Sequence, residues 1–232
     1  MVSIRTLIFW GSALVASSSV GFATAQTPRE SPNLASIDAP NTQQFIRLCT
    51  NTADPADCGK KVEAQQLKQS GADKVARRDG KFLAITIPGE PPFIFEDVDS
   101  EAGPNTSFYS YSAGADAVVV YRARGDKVEF LLLHRPTGSV TELPNEPKFN
   151  RDGRYFATAD FCKDGCENRL TIWRMERRGA LRERVFTPRN PWSDADVSWA
   201  SNIRLLVEIT EAGKSSAVSI DVSDARWTVL AP

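Results

Sequence analysis

The residue types that most often carry out catalysis are sparse in this sequence, which contains a single histidine, His134. This residue ends a strongly apolar run and precedes Arg135-Pro136, an arrangement typical of a half-buried strand end followed by a turn. A histidine-based nucleophilic site also needs a nucleophile and a carboxylate nearby, and no Gly-x-Ser-x-Gly motif occurs. Phosphate-binding loops and dinucleotide fingerprints are missing as well. We therefore predict no catalytic, metal-binding or cofactor-binding residues.

An acidic segment, Glu96-Asp97-Val98-Asp99-Ser100-Glu101, offers several oxygen ligands of the kind that calcium prefers. The segment lacks the spacing and the central glycine of an EF-hand loop. Charge runs of this length usually lie in solvent. The pattern favours a solvated acidic turn over a calcium site.

Arginines are concentrated in one stretch of about twenty residues near the middle of the second half of the chain. Alternate positions of a strand share a face, so Arg182 and Arg184 are expected to point the same way. Forked guanidinium groups bind carboxylates and other anions well. The stretch thus contains a candidate interaction face for an acidic protein or an anionic envelope polymer, with a solvated outer strand as the alternative. Its residues are Arg174, Arg182, Arg184, Arg189 and the loop residue Trp192.

The four cysteines can form two disulfides, since an even count in an exported chain favours oxidised pairs. We favour Cys49–Cys58 and Cys162–Cys166, because each pair is close in sequence. Lys163-Asp164-Gly165 would form a hairpin loop in which the glycine adopts a positive φ. A zinc site is the alternative, although the two spacings fit zinc pairs poorly.

The amino terminus predicts export. Arg5 is followed by the apolar run Leu7 to Ala16 and then by Ala23-Thr24-Ala25, which together form a signal peptide over 1–25. The apolar run is too short for a good membrane span, so no stable span is expected after cleavage, and a periplasmic or secreted location follows. An uncleaved anchor is the alternative. With 28 Lys and Arg against 29 Asp and Glu, the chain carries no net charge that would attract nucleic acid.

Three regions follow the signal peptide. Residues 26–40 are rich in Pro, Ser and Asn and predict a flexible leader. Residues 41–78 predict a short helical segment, in which Asp54-Pro55 begins the second helix and Ser70-Gly71 ends it. Residues 79–232 predict a β domain, because apolar residues alternate in short runs between turn residues. The expected strands include 83–87, 93–95, 117–121, 128–134, 140–143, 155–161, 170–175, 181–186, 197–199, 203–209, 217–222 and 227–230.

Within the β domain, the strands 128–133, 170–175 and 217–222 align as a weak repeat at a spacing typical of propeller blades. The segment from Pro147 to Ala157, with its Asp152-Gly153 turn, resembles the blade opening of TolB-type and peptidase-type β-propellers. The run Leu170 to Trp173 is similar to the next strand of such a blade, and Asp196 to Ala200 is similar to a second opening. Asn150-Arg151 replaces the usual Ser-Pro, and the second opening lacks Asp-Gly. This resemblance covers about 115–232 and implies architecture, not function.

The sequence thus predicts a mainly β fold, a small antiparallel propeller-like repeat of three to four sheets, closed or open, after a short helical segment. A β-sandwich is the alternative. The expected function is that of a non-catalytic binding protein of the cell envelope or extracellular space. A periplasmic hydrolase or lyase with an unrecognised site, and a self-associating envelope protein, are the other hypotheses.

Overall fold

The computed structural model describes residues 34–52, 54–100, 103–190, 192–211 and 213–224. The predicted signal peptide, the first part of the predicted leader and the predicted strand 227–230 lie outside these residues. No helix in the described ranges is long and apolar enough to cross a membrane.

Two helices precede the sheets. Helix α1 (Thr42–Cys49) begins with a capping box, in which Asn41 and Gln44 each accept the other's backbone N–H. Helix α2 (Pro55–Gln66) begins as predicted, with the Asp54 carboxylate accepting the N–H of Ala56. It ends about four residues earlier than expected, before Gly71 reverses the chain with a φ of 83°.

The rest of the described chain is mainly β and forms four antiparallel sheets, each built from strands that follow one another in sequence. The described residues form four sheets and not the two sheets of the alternative sandwich. A single turn of 3-10 helix, Ala72–Lys74, leads into the first sheet. Sheet 1 contains β1 (Ala76–Asp79), β2 (Phe82–Ile85) and β3 (Phe93–Glu96); sheet 2 contains β4 (Asn105–Ser112), β5 (Ala117–Arg124), β6 (Lys127–His134) and β7 (Ser139–Leu143). Sheet 3 contains β8 (Lys148–Phe149), β9 (Tyr155–Asp160), β10 (Arg169–Glu176) and β11 (Gly179–Phe186); sheet 4 contains β12 (Asp194–Trp199), β13 (Arg204–Glu211) and β14 (Lys214–Asp221).

Three apolar clusters join successive sheets, because alternate residues of each strand face opposite neighbours. The first lies between sheets 1 and 2 and includes Leu83 and Val120. The second lies between sheet 2, helix α2 and sheet 3, and includes Val62 and Trp173. The third lies between sheets 3 and 4 and includes Ile172 and Val207.

The structure corrects the predicted boundaries at the start of the fold. Ile37, inside the predicted leader, is 2% exposed and forms a two-way backbone bridge with Tyr111, so the docked chain begins before residue 40. Strand β1 overlaps the end of the predicted helical segment, 41–78. Strand β4 was not predicted because its sequence, Asn-Thr-Ser-Phe-Tyr-Ser-Tyr-Ser, lacks the aliphatic alternation of the other strands. Side chains from α2 cover its edge: Glu63 accepts the N–H of Phe108, and Gln66 donates to the carbonyl of Tyr109.

Both predicted disulfides are present. Cys49–Cys58 joins the two helices, and Cys162–Cys166 lies in the loop between strands β9 and β10. The predicted positive φ of Gly165 is confirmed at 89°. The second disulfide differs from the predicted hairpin in one respect. Strand β9 ends at Asp160 and β10 begins at Arg169, so the bridge lies within the connecting loop and not on facing strand residues.

The Asp152-Gly153 turn holds two sheets together. Gly153 has a φ of 70°, and a Cβ built on it would lie 2.4 Å from the backbone nitrogen of Ala115. A Cβ built on the opposite glycine, Gly114, would lie 2.5 Å from the carbonyl oxygen of Asp152. Only residues without a side chain permit this contact between the β4–β5 and β8–β9 turns.

Candidate ligand-binding site

A cavity with an aromatic lining lies where the two helices, sheet 2 and the connection from β7 to β8 meet. We call it the aromatic pocket, and its volume is about 500 Å³. Ligand sites are usually concave and mainly apolar, with a few polar groups that fix orientation. The pocket fits that description. It is lined by Pro40, Thr42, Phe45, Thr52, Pro55, Cys58, Tyr109, Tyr121, Val128, Phe130, Asn145, Glu146 and Lys148.

Three rings from consecutive strands form the floor of the pocket. Tyr121 on β5 pairs in register with Phe130 on β6, and their ring centroids are 5.8 Å apart. Tyr109 on β4 is a bulge residue, because Phe108 pairs with Val120 while Ser110 pairs with Val119. A bulge shifts the alternation of the residues that follow it. Tyr109 therefore lies on the same face as Tyr121, whereas Tyr111 joins the cluster between sheets 1 and 2. The ring centroids of Tyr109 and Phe130 are 5.2 Å apart, in an edge-on contact.

Charged groups stand at one side of these rings. The buried phenol of Tyr109 has its pKa raised by burial, and the hydrogen bond to the Glu146 carboxylate raises that pKa further. Burial, together with the nearby charge of Asp54, raises the pKa of Tyr121 to about 12. Lys148 Nζ lies 2.8 Å from Glu146 Oε1. Both phenols therefore remain protonated donors at neutral pH.

The connecting segment that carries Glu146 is held by Asn145. The Asn145 side chain donates to the carbonyl of Ala159 at 2.8 Å and accepts the N–H of Glu146 at 2.7 Å. The next residue is Pro147, whose ring fixes φ. The carboxylate and the ammonium group are thus presented from a segment with little conformational freedom.

A second cavity adjoins the aromatic pocket and shares Pro40, Thr42, Glu146 and Lys148 with it. We call it the edge cleft. Its volume is about 580 Å³, and its walls are the segment 36–42, β4 at 110–112, the segment 146–151 with β8, and β12 at 196–199. The first strands of sheets 2, 3 and 4 therefore border one cleft.

Two hydrogen bonds fix the position of β12 beside β8. The indole Nε1 of Trp199 donates to the carbonyl of Lys148 at 2.7 Å. The side chain of Asn150 donates to the carbonyl of Asn202 at 2.8 Å and accepts the N–H of Tyr155 at 3.1 Å. Asn150 and Trp199 belong to the two segments that resemble blade openings, and they position the cleft walls.

A cluster of buried charges attaches helix α2 to sheets 1 and 2. The guanidinium group of Arg78 contacts both carboxylate oxygens of Glu63 at 2.7 Å and Asp97 at 3.0 Å. Lys60 also pairs with Asp97, which accepts the backbone N–H of Thr106. Burial opposes ionisation of Asp97, but these hydrogen bonds and charges hold its pKa below the ordinary value. Asp97 thus belongs to the core of the fold, and not to the solvated acidic turn that the sequence favoured.

The predicted arginine face is not one surface. A β-bulge in sheet 3 pairs Ile172 with Arg184 but Trp173 with Arg182. Ile172 and Trp173 face opposite sides of β10, so Arg182 and Arg184 lie on opposite faces, contrary to the prediction from strict alternation. Arg182 stacks 5.4 Å from the centre of the Trp173 ring.

The other residues of that predicted face do not lie together either. Arg184 donates to the carbonyl of Asp224 on the sheet 4 side, and Arg174 pairs with Glu176 at 2.8 Å. Arg189 is exposed in the loop after β11. Trp192 is 5% exposed and packs 4.7 Å from Phe161, so the expectation of an exposed stacking residue is wrong at this position. The flanking apolar residues of sheets 3 and 4 bury its ring.

His134 is the last residue of β6, as predicted, and its Nδ1 lies 2.8 Å from the hydroxyl of Thr137. Burial lowers the pKa of His134, against the opposing charge of Asp116. In the described ranges, no three His, Cys, Asp or Glu residues are grouped to hold a metal ion.

No protein-family model and no curated protein matches this sequence. The site is therefore interpreted from its own residues. Sequence reasoning did not single out Tyr109, Tyr121, Phe130 or Glu146. The available signal was the run Phe108-Tyr109-Ser110-Tyr111, whose tyrosines have β propensity and polar tips suited to a pocket wall.

Proposed function

We propose that this chain is an exported, non-catalytic binding protein that takes an apolar group of its ligand into the aromatic pocket. One observation carries the proposal: an open cavity of about 500 Å³ whose floor is three aromatic rings and whose side presents a paired carboxylate and ammonium group. Rings supply contact area, and the few polar groups supply orientation.

The supporting framework is a propeller-like stack of sheets. Strands β6, β10 and β14, which align in the sequence repeat, each take the third position in their sheets. The first strands β4, β8 and β12 all border the edge cleft, as the innermost strands of propeller blades border a central channel. We propose an open, incomplete propeller with its ligand site near that central position.

A periplasmic or secreted location belongs to the same proposal. The signal-like amino terminus supports it, and so do two disulfides, which persist in oxidising compartments. The Cys49–Cys58 bridge ties α1 to α2, and both helices line the aromatic pocket. Oxidation would therefore stabilise the wall of the binding site.

The test uses two valines of sheet 2 with equal exposure. Val128 and Val140 are each 39% exposed, but only Val128 lines the pocket. Val128→Trp should fill the cavity, whereas Val140→Trp adds the same side chain elsewhere on the sheet. The oxidised chain without residues 1–25 is screened by thermal shift against a panel of amphipathic compounds and short peptides.

We expect the panel members that stabilise the unsubstituted protein to bind Val128→Trp at least about tenfold more weakly, a difference of about 1.4 kcal/mol. Their affinity for Val140→Trp should be unchanged. Equal binding to all three proteins would overturn the pocket assignment. A panel without any member that binds at millimolar concentration would contradict the proposal as well.

A further inference from the structure

The edge cleft is bordered by a strand that is paired on one side only. In the part of the chain that the structure describes, β12 pairs with β13 and with no other strand. Ala200 donates its N–H to the carbonyl of Arg204 at 2.9 Å, and Ser198 and Asp196 occupy equivalent positions in the same register. In an antiparallel pair, residues that bond to the neighbouring strand alternate with residues whose backbone groups point away from it. The backbone groups of Ala195, Val197 and Trp199 therefore point away from β13, on the side that faces the cleft.

A segment of the chain itself shows how an extended backbone binds at this cleft. Ile37 donates its N–H to the carbonyl of Tyr111 and accepts the N–H of Tyr111, both at 2.9 Å. The Ile37 side chain is 2% exposed and joins the cluster between sheets 1 and 2. Ser36 adds a side-chain contact to the N–H of Ala113. Backbone pairing and one buried apolar side chain are the two elements of peptide recognition by strand addition.

We infer that the edge cleft binds an extended polypeptide segment, which pairs with the free edge of β12 and places one apolar side chain in the aromatic pocket. This inference rests on the proposed binding function and names the class of ligand. The two cavities share Pro40, Thr42, Glu146 and Lys148, so one ligand reaches both. Main-chain hydrogen bonds would supply affinity, and the pocket would supply specificity.

The edge of β12 is protected while no peptide is bound. The carboxylate of Asp196 accepts the N–H of Val197 at 2.8 Å. Charged side chains on an edge strand prevent indiscriminate pairing between molecules. A peptide carbonyl that takes the N–H of Val197 displaces this carboxylate, which stays exposed to solvent. The edge is therefore available to a specific ligand at the cost of one local hydrogen bond.

The test uses the oxidised chain without residues 1–25 as the target. Peptides that bind it are selected from a phage-displayed library of linear nine-residue sequences. The strongest binder is synthesised, and each backbone nitrogen is methylated in turn. A strand-paired peptide presents alternate N–H groups to β12. We expect methylation at alternate positions to weaken binding about tenfold, and methylation at the intervening positions to change it less than about threefold.

Hydrogen exchange gives a second readout on the protein. The amide of Trp199 faces the cleft, whereas the amide of Ser198 already belongs to the ladder with β13. Bound peptide should slow exchange at Trp199 at least about tenfold and leave Ser198 nearly unchanged. The Val128→Trp variant is measured in parallel.

The outcomes separate the two proposals. Alternating sensitivity to methylation with a protected Trp199 amide supports strand addition. A second result is a peptide that binds Val128→Trp more weakly and yet shows no alternating sensitivity to methylation. That result overturns strand addition and leaves the pocket proposal standing. Alternation with full affinity for Val128→Trp supports pairing at β12 and overturns the pocket as its anchor. Failure to select any peptide with a dissociation constant below about 100 μM overturns this inference, while compounds that bind in the pocket would still support the proposed function.

Discussion

Glu63 provides the sharpest test of how the helices are attached to the sheets. Its side chain is 5% exposed, and its two oxygens accept hydrogen bonds from Arg78 Nε, Arg78 Nη2 and the backbone N–H of Phe108. Glu63→Gln preserves the size of the side chain. The amide nitrogen then meets a guanidinium or backbone donor, so two donors face each other in a buried site.

The expected loss can be worked out from these contacts. A charge-assisted hydrogen bond contributes about 1.5–3 kcal/mol, and removing one partner of a buried ion pair costs about 3–5 kcal/mol. Arg78 keeps its contact with Asp97 and is 16% exposed, which lowers the penalty. We expect Glu63→Gln to reduce the free energy of unfolding by about 3 kcal/mol. For a chain of this length, that corresponds to a melting temperature lower by about 6–12 °C.

The assay is urea unfolding of the oxidised protein, followed by circular dichroism, with Glu142→Gln as the matched control. Glu142 also pairs with an arginine, Arg122, but its side chain is 71% exposed. Exposed ion pairs contribute at most about 1 kcal/mol, so the control should remain within that range of the unsubstituted protein. If Glu63→Gln lost no more than Glu142→Gln, the attachment of α2 through this buried pair would be refuted.

Two further predictions concern the same framework. The pKa of Asp97 is lower in the folded state than in the unfolded chain, so its ionised form stabilises the fold above about pH 4 and this stabilisation disappears as the pH falls through the folded-state pKa. Unfolding free energies of the unsubstituted protein and Asp97→Asn should therefore converge as the pH falls below about 4, and a constant gap would contradict the assignment. Gly153→Ala should lose at least about 2 kcal/mol, because its φ of 70° is strained for alanine and the new Cβ would lie 2.4 Å from Ala115. Gly138→Ala, with a φ of 64° and open space around it, should lose about 1 kcal/mol, and equal losses in the two variants would rule out the close turn contact.

Two β-bulges decide which side chains share a face. The bulge at Tyr109 puts Tyr109 and Tyr111 on opposite faces of sheet 2, and the bulge in sheet 3 separates Arg182 from Arg184. Both effects follow from one extra residue in a ladder whose side chains alternate. The first effect leaves Tyr109 in the aromatic pocket and places Tyr111 in the cluster between sheets 1 and 2, and the second removes the basic face that an unbroken strand would have presented.

Local patterns in the sequence determined much of the secondary structure. Short apolar runs between turn residues predicted β6, β10 and β13, and Asp54-Pro55 predicted the start of α2. These features depend on neighbours within a few residues, which is why they can be read from the chain alone. The cysteine pairings were predictable for the same reason, since each pair is closed by a short loop.

Only the tertiary structure decided where the site lies. Strand β4 is polar in sequence and is covered by Glu63 and Gln66 from a helix about forty residues earlier. Tyr109 and Tyr121 come from two strands and Glu146 from a later connection, and the pocket also needs residues of both helices, such as Phe45 and Cys58. Burial and pairing depend on which segments meet after folding. Local alternation predicts that a strand forms, but it does not specify its neighbours, its bulges or the cavity between them.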